Sequence, residues 1–143
     1  MSAVRVNLFT PQQALDAVLT QLATRRSFTL FTLNLDHVVK LRGSAEFRGC
    51  YERADLVSAD GWPIVWYFRK QGVALERTTG ADLVLPLCER VAATGIPIFI
   101  VGPQEHVQKR AIAALRERFP GLNVAGADAS IIAPENAAAL ADR

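Results

Sequence analysis

The sequence predicts an α/β fold, a Rossmann-like and mostly parallel sheet with helices on both faces. Three observations lead there. Short apolar runs of strand length alternate with segments of helical period. The junctions between them carry capping or turn residues, such as Thr10, Asn34, Gly61 and Gly102. The 143 residues, 50% apolar and 21% charged, suit one domain with a real core, so residues 1–143 are read as a single α/β domain.

The elements follow in order. Val4 to Leu8 reads as a strand. Thr10-Pro11-Gln12-Gln13 starts a helix: Thr10 caps, Pro11 suits the first turn, and Gln13 stands where a capping box places it. Leu15, Val18, Leu19 and Leu22 follow at helical spacing. Phe28 to Leu33 is a second strand, His37 to Leu41 a short helical turn, and Ala45 to Ala54 a helix with Phe47, Cys50 and Tyr51 inward. Asp55 to Ser58 is a short strand running into the Ala59-Asp60-Gly61 turn and an apolar helix from Trp62 to Phe68, with Pro63 tolerated in its first turn. Leu83, Val84, Leu87, Cys88 and Val91 keep helical spacing, but Pro86 among them predicts a break or a fresh start, because an interior proline costs about 3 kcal/mol. Pro97 to Val101 is a buried strand. Glu105 to Arg118 is a helix whose buried side holds Val107, Ala111, Ala114 and Leu115, and Leu122 to Ala125 is a last strand.

In such folds ligands bind beyond the carboxyl ends of the strands. That singles out the loops after Leu33, Ser58 and Val101. Asp60 follows a strand and precedes a helix. It can cap that helix, or it can take a proton from a substrate hydroxyl. Thr32 and Asn34 end the second strand with a hydroxyl and an amide fit for sugar or phosphate, although Asn34 can equally cap the next turn. His37, a lone histidine, reads first as a surface or capping residue. Arg77-Thr78-Thr79-Gly80 with Asp82 puts a guanidinium beside the N–H groups of a helix start, a good diphosphate site, or else a solvated loop with Thr79 as cap. Gly102 could let backbone N–H groups face a phosphate.

Other functions find little support. The formal net charge is only +2 and the basic residues are scattered, which argues against nucleic acid. Cys50, Cys88, His37 and His106 show no metal-ligand spacing, and the cysteines read as small buried hydrophobes of a reducing cytoplasm. Gly-x-Gly-x-x-Gly, a Walker sequence and Gly-x-Ser-x-Gly are all missing, so NAD, ATP and serine-hydrolase sites are not indicated. The N-terminus has no signal pattern, and no apolar run approaches the ~18–20 residues that span a bilayer. The expectation is a cytoplasmic protein, at most attached to the inner face of the membrane. The basic helix with Lys109, Arg110, Arg116 and Arg118 is a solvated face, or a contact with an anionic membrane or a partner.

Taken together the motifs resemble the WecG/TagA/CpsF glycosyltransferases. They are Thr32-Leu33-Asn34 with Asp36-His37-Val38-Val39, Phe47-Arg48, Ala54-Asp55-Leu56-Val57 and Asp60-Gly61. Glu76-Arg77-Thr78-Thr79-Gly80 with Asp82-Leu83, Val101-Gly102, and Arg118-Phe119-Pro120-Gly121-Leu122 complete the set. Their order and spacing over roughly residues 4 to 126 carry the likeness.

The resemblance implies inverting transfer of a sugar, N-acetylmannosamine or another hexose, from a UDP-sugar donor to a polyprenyl-diphosphate-linked sugar acceptor. The setting is exopolysaccharide or cell-wall polymer synthesis. It makes Asp60 the base for the acceptor hydroxyl. Thr32 and Asn34 become pocket residues and Arg77 holds the donor diphosphate, with Thr79, Gly80, Asp82 and Gly102 as the further substrate-binding candidates. It calls for no metal or other cofactor. Homo-oligomers and peripheral membrane contact of a full-length protein are compatible with it. The family's later Gly-x-Pro-Lys-Gln-Glu-like segment and its membrane-attaching tail are expected to lie outside these residues. The competing expectations are a non-catalytic nucleotide-binding or assembly module derived from that family, and an unrelated small enzyme using NAD or a phosphorylated metabolite.

Overall fold

Parallel strands and helices do build the protein, and the helices dominate. The computed structural model describes residues 5–102 and 104–130. Its strands form two small sheets. Leu30–Leu33 (β1) pairs in parallel with Leu56–Ala59 (β2), and Ile98–Val101 (β3) pairs in parallel with Val124–Asp128 (β4). The chain divides into two compact units, Met1–Pro86 and Leu87–Arg143, each holding one pair.

In the first unit the helix Pro11–Thr24 (α1) begins as its sequence directs. Thr10 Oγ1 accepts from the Gln13 N–H at 3.1 Å, and Gln13 Oε1 accepts from the Phe9 N–H at 2.8 Å. The strand expected over Val4 to Leu8 is reduced to one parallel bridge between Leu8 and Ser58, and Val4 lies outside the described residues. Asn7 is the reason. Its amide accepts from the Val57 N–H at 2.8 Å and donates to the Asp55 carbonyl at 2.7 Å, so a side chain occupies places that a strand backbone would fill.

Leu35–Gly43 (α2) is a full helix rather than the short turn expected over His37 to Leu41, because Asn34 starts it earlier. Ala45–Glu52 (α3) is capped by Ser44 and stops short of Ala54. Trp62–Lys70 (α4) follows β2. Leu33, Leu41, Tyr51, Val57, Ile64 and Val65 form the centre of the core. Each such side chain gains about 1.5–3 kcal/mol by leaving water.

Gly80–Thr94 (α5) runs straight through Pro86, where the sequence predicts a break. One proline removes one N–H, the partner of the carbonyl four residues back. That residue, Asp82, is exposed, so water can satisfy its carbonyl. The boundary between the two units falls at this same proline.

In the second unit Glu105–Arg118 (α6) has the expected bounds but a different inward face. Gln108 is buried, with Ile112 and Leu115 half-buried, whereas Val107, Ala111 and Ala114 are exposed. The buried amide explains the rotation. Gln108 Nε2 donates to the carbonyls of Ile100, Gly102 and Asp128 at 3.1, 2.7 and 2.9 Å, tying the ends of β3 and β4 to the helix. The β3 strand alternates rather than being buried throughout, and Phe99 and Val101 face outward.

Candidate active site

The predicted residues of the first unit converge on the carboxyl ends of β1 and β2. Thr32 is in register with Ser58, and Leu33 with Ala59. The Asp60 N–H continues that ladder to the Leu33 carbonyl at 2.8 Å. The same peptide sends its carbonyl, that of Ala59, to the N–H of Thr78 at 2.8 Å. In a trans peptide N–H and C=O point in opposite directions. The backbones of Leu33 and Thr78 therefore meet opposite edges of the peptide that ends β2, with Asp60 following it.

Asp60 does not cap α4. The N-cap is Gly61, with φ 103° and ψ 143°, and no side chain bonds to that helix start. This backbone region is open essentially to glycine alone, which accounts for the Asp-Gly pair. The Asp60 carboxylate has no hydrogen bond or ion pair to it among the described residues. Its charge is felt by Tyr51. Burial, and secondly the Asp60 carboxylate, push the Tyr51 phenol up to about 12.

Asn34 does cap: its Oδ1 accepts from the His37 N–H at 2.9 Å. Thr79 caps α5, taking the Asp82 N–H at 3.0 Å. Arg77 Nη2 lies 3.2 Å from Asp82 Oδ2 in a half-exposed ion pair. A Cβ at Gly80 would stand 3.6 Å from Thr32 Cγ2, so the start of α5 sits against the end of β1. Gly102 belongs to the second unit. Its φ is 65°, and its N–H is committed to the Asp128 carbonyl at 2.7 Å, so that group is not free for a phosphate.

Ser58, to which the sequence reading gave no role, holds the Arg77 segment in place through Thr78. Ser58 is fully buried and its Oγ donates to the Thr78 carbonyl at 2.9 Å. Thr78 is fully buried as well, and its Oγ1 has no partner. A serine inside an otherwise apolar strand was the available signal. A hollow of about 500 Å³ in the same unit lies elsewhere, lined by Phe9, Thr10, Arg69, Val73 and Glu76 among others. The described residues include no group of three or more His, Cys, Asp or Glu placed to hold a metal. Both cysteines are free, and burial pushes the Cys88 thiol up, as befits an inert packing residue. No helix among the described residues is long and apolar enough to cross a membrane.

In an α/β scaffold the loops beyond the carboxyl ends of the strands, such as those that carry Asp60 and Asn34, are where ligands bind. Comparison with known families makes this specific: residues 1–143 match the glycosyl transferase WecG/TagA/CpsF family model. The chain belongs to the WecG/TagA/CpsF glycosyltransferase family.

Proposed function

We propose that this chain carries the acceptor base and the donor diphosphate contacts of an inverting glycosyltransferase. The enzyme moves N-acetylmannosamine or another hexose from a UDP-sugar to a polyprenyl-diphosphate-linked sugar, in polysaccharide or cell-wall polymer synthesis. One observation carries the reading: Asp60 ends a strand with its backbone pinned and its carboxylate given to no capping role.

The chemistry follows from the placement. Asp60 takes the proton of an acceptor hydroxyl as that oxygen attacks the anomeric carbon from the face opposite the leaving group. The bond to the UDP oxygen breaks and negative charge collects on the diphosphate. Arg77, released from the exposed carboxylate of Asp82, and the free N–H groups at the start of α5 stabilise that charge. Thr32, at the end of β1, lines the acceptor side.

A membrane-borne acceptor fits α4. Trp62, Trp66 and Lys70 recur every four residues and share a face, opposite the one that buries Ile64 and Val65. The two tryptophans are 64% and 61% exposed, Lys70 lies over the Trp66 ring, and the helix has no acidic residue. Exposed tryptophan beside lysine and arginine is the composition of a surface that rests on anionic lipid. The face begins two residues after Asp60, as an acceptor held in a bilayer requires.

The test is calorimetric titration of the chain with UDP, with NAD as control, together with transfer assays on Asp60→Asn. Selective UDP binding that persists in Asp60→Asn, with transfer lost by about a hundredfold or more, is expected for a general base. Near-native turnover in that variant would remove Asp60 from the role.

A further inference from the structure

His37 has no part in the proposed function, yet its ring makes one hydrogen bond and two aromatic contacts beside Thr32 and Tyr51. The Tyr51 hydroxyl has two acceptors within reach, His37 Nδ1 at 2.7 Å and the Thr32 carbonyl at 3.4 Å. The first is much the shorter, and the phenolic proton is assigned to it on that ground. The phenol keeps that proton at any ordinary pH, since burial and the Asp60 carboxylate hold it up to about 12.

With the phenolic proton on the shorter contact, Nδ1 accepts, and a neutral imidazole then carries its ring proton on Nε2. The ring is also held by packing. Phe47 meets it edge-on at 5.5 Å between centroids and Tyr51 at 5.9 Å. Its backbone N–H is fixed by Asn34. Nε2 alone has no partner among the described residues.

We infer that His37 is a further substrate-positioning residue, donating from Nε2 to an oxygen of the acceptor sugar while Tyr51 fixes its tautomer. The acceptor is favoured over the donor because the Tyr51 hydroxyl that holds His37 stands 3.4 Å from the carbonyl of Thr32 and within the field of the Asp60 carboxylate, the two residues assigned to the acceptor. The identity of the ligand rests on the glycosyltransferase reading; the tautomer does not.

Two measurements test this. Long-range 15N–1H correlation spectra of the chain are expected to show His37 as the Nε2–H tautomer, becoming a mixture in Tyr51→Phe. Transfer to a hexosyl diphosphate of a short prenol is expected to show an acceptor KM raised about tenfold in His37→Ala, the worth of one hydrogen bond, with donor KM and kcat within about twofold. His37→Gln, whose amide nitrogen reaches the same position, restores most of the loss. Melting curves separate folding defects from these effects. An Nδ1–H tautomer in the unaltered chain overturns the inference, as does an unchanged acceptor KM in His37→Ala while Asp60→Asn is inactive. Turnover indifferent to Asp60→Asn as well strikes the glycosyltransferase reading and the assigned ligand together, while the spectra still decide the His37–Tyr51 geometry.

Discussion

Arg77 Nη2 rests 3.2 Å from Asp82 Oδ2, so the cation proposed for the donor diphosphate is paired with a carboxylate in the first turn of α5. Both side chains are partly exposed, and such a pair is worth no more than about 1 kcal/mol. On the proposed function, a diphosphate is expected to displace it.

The two partners should therefore act in opposite directions on UDP binding. Arg77→Ala is expected to weaken UDP roughly ten- to a hundredfold, the range of a charge-assisted hydrogen bond. Asp82→Asn is expected to leave UDP affinity unchanged or to raise it, because it removes the competing carboxylate. Calorimetry on both variants decides this. A loss of affinity in Asp82→Asn would mean that Asp82 positions Arg77 rather than competing for it.

The parts of this site that could be read from sequence are those set by local rules. Thr10, Asn34 and Thr79 cap because each hydroxyl or amide stands where a helix start leaves N–H groups open. Asp60-Gly61 is recognisable because its backbone shape needs glycine. What could not be read depends on partners distant in sequence. Asn7 displaces a strand by bonding to residues near 56, and Gln108 turns α6 by bonding to three carbonyls. Ser58 anchors the Arg77 segment twenty residues on. In each case a polar side chain does what apolar periodicity would assign to a backbone or a hydrophobe. Pro86 failed as a break signal because one exposed carbonyl is a local loss.

Tyr51 should leave a mark on alkaline stability. Its folded pKa is raised from 10.0 to about 12 by burial and by Asp60. Between those values the unfolded chain has lost the phenolic proton and the folded chain keeps it, so the folded state binds more protons. Stability from this group is complete below pH 10 and is lost as pH rises towards 12. The expected loss across the window is roughly 2 kcal/mol. Denaturant melts from pH 9 to 11.5 should fall less steeply in Tyr51→Phe than in the unaltered chain. Equal slopes would show that Tyr51 is not the group responsible.

The exposed face of α4 gives a lipid prediction independent of turnover. Vesicles of phosphatidylglycerol should sediment the chain, and vesicles of phosphatidylcholine should do so much less. Trp62→Ala with Trp66→Ala should abolish the association, and Lys70→Glu alone should weaken it and make what remains less sensitive to salt, because the screened attraction is the part removed. Because these side chains point away from the core, melting temperature should barely move. Unchanged sedimentation in the double variant would assign the tryptophans to a protein contact or to none.

Gly126 is fixed by its neighbour rather than by its own backbone. It is the register partner of Phe99, and a Cβ there would lie 2.5 Å from Phe99 Cε2 and 2.9 Å from Cδ2. The aromatic ring lies over the glycine, covering backbone that would otherwise face water. Gly126→Ala must push the ring aside, and the phenylalanine is partly exposed, so it can move at the expense of its packing. A destabilisation of about 1–3 kcal/mol is expected, as for other overpacked sites. Phe99→Leu alone should cost less, and combining the two should cost less than their sum, because the smaller side chain clears the methyl group. Additive losses in that double-mutant cycle would mean the strain at Gly126 comes from somewhere other than the Phe99 ring.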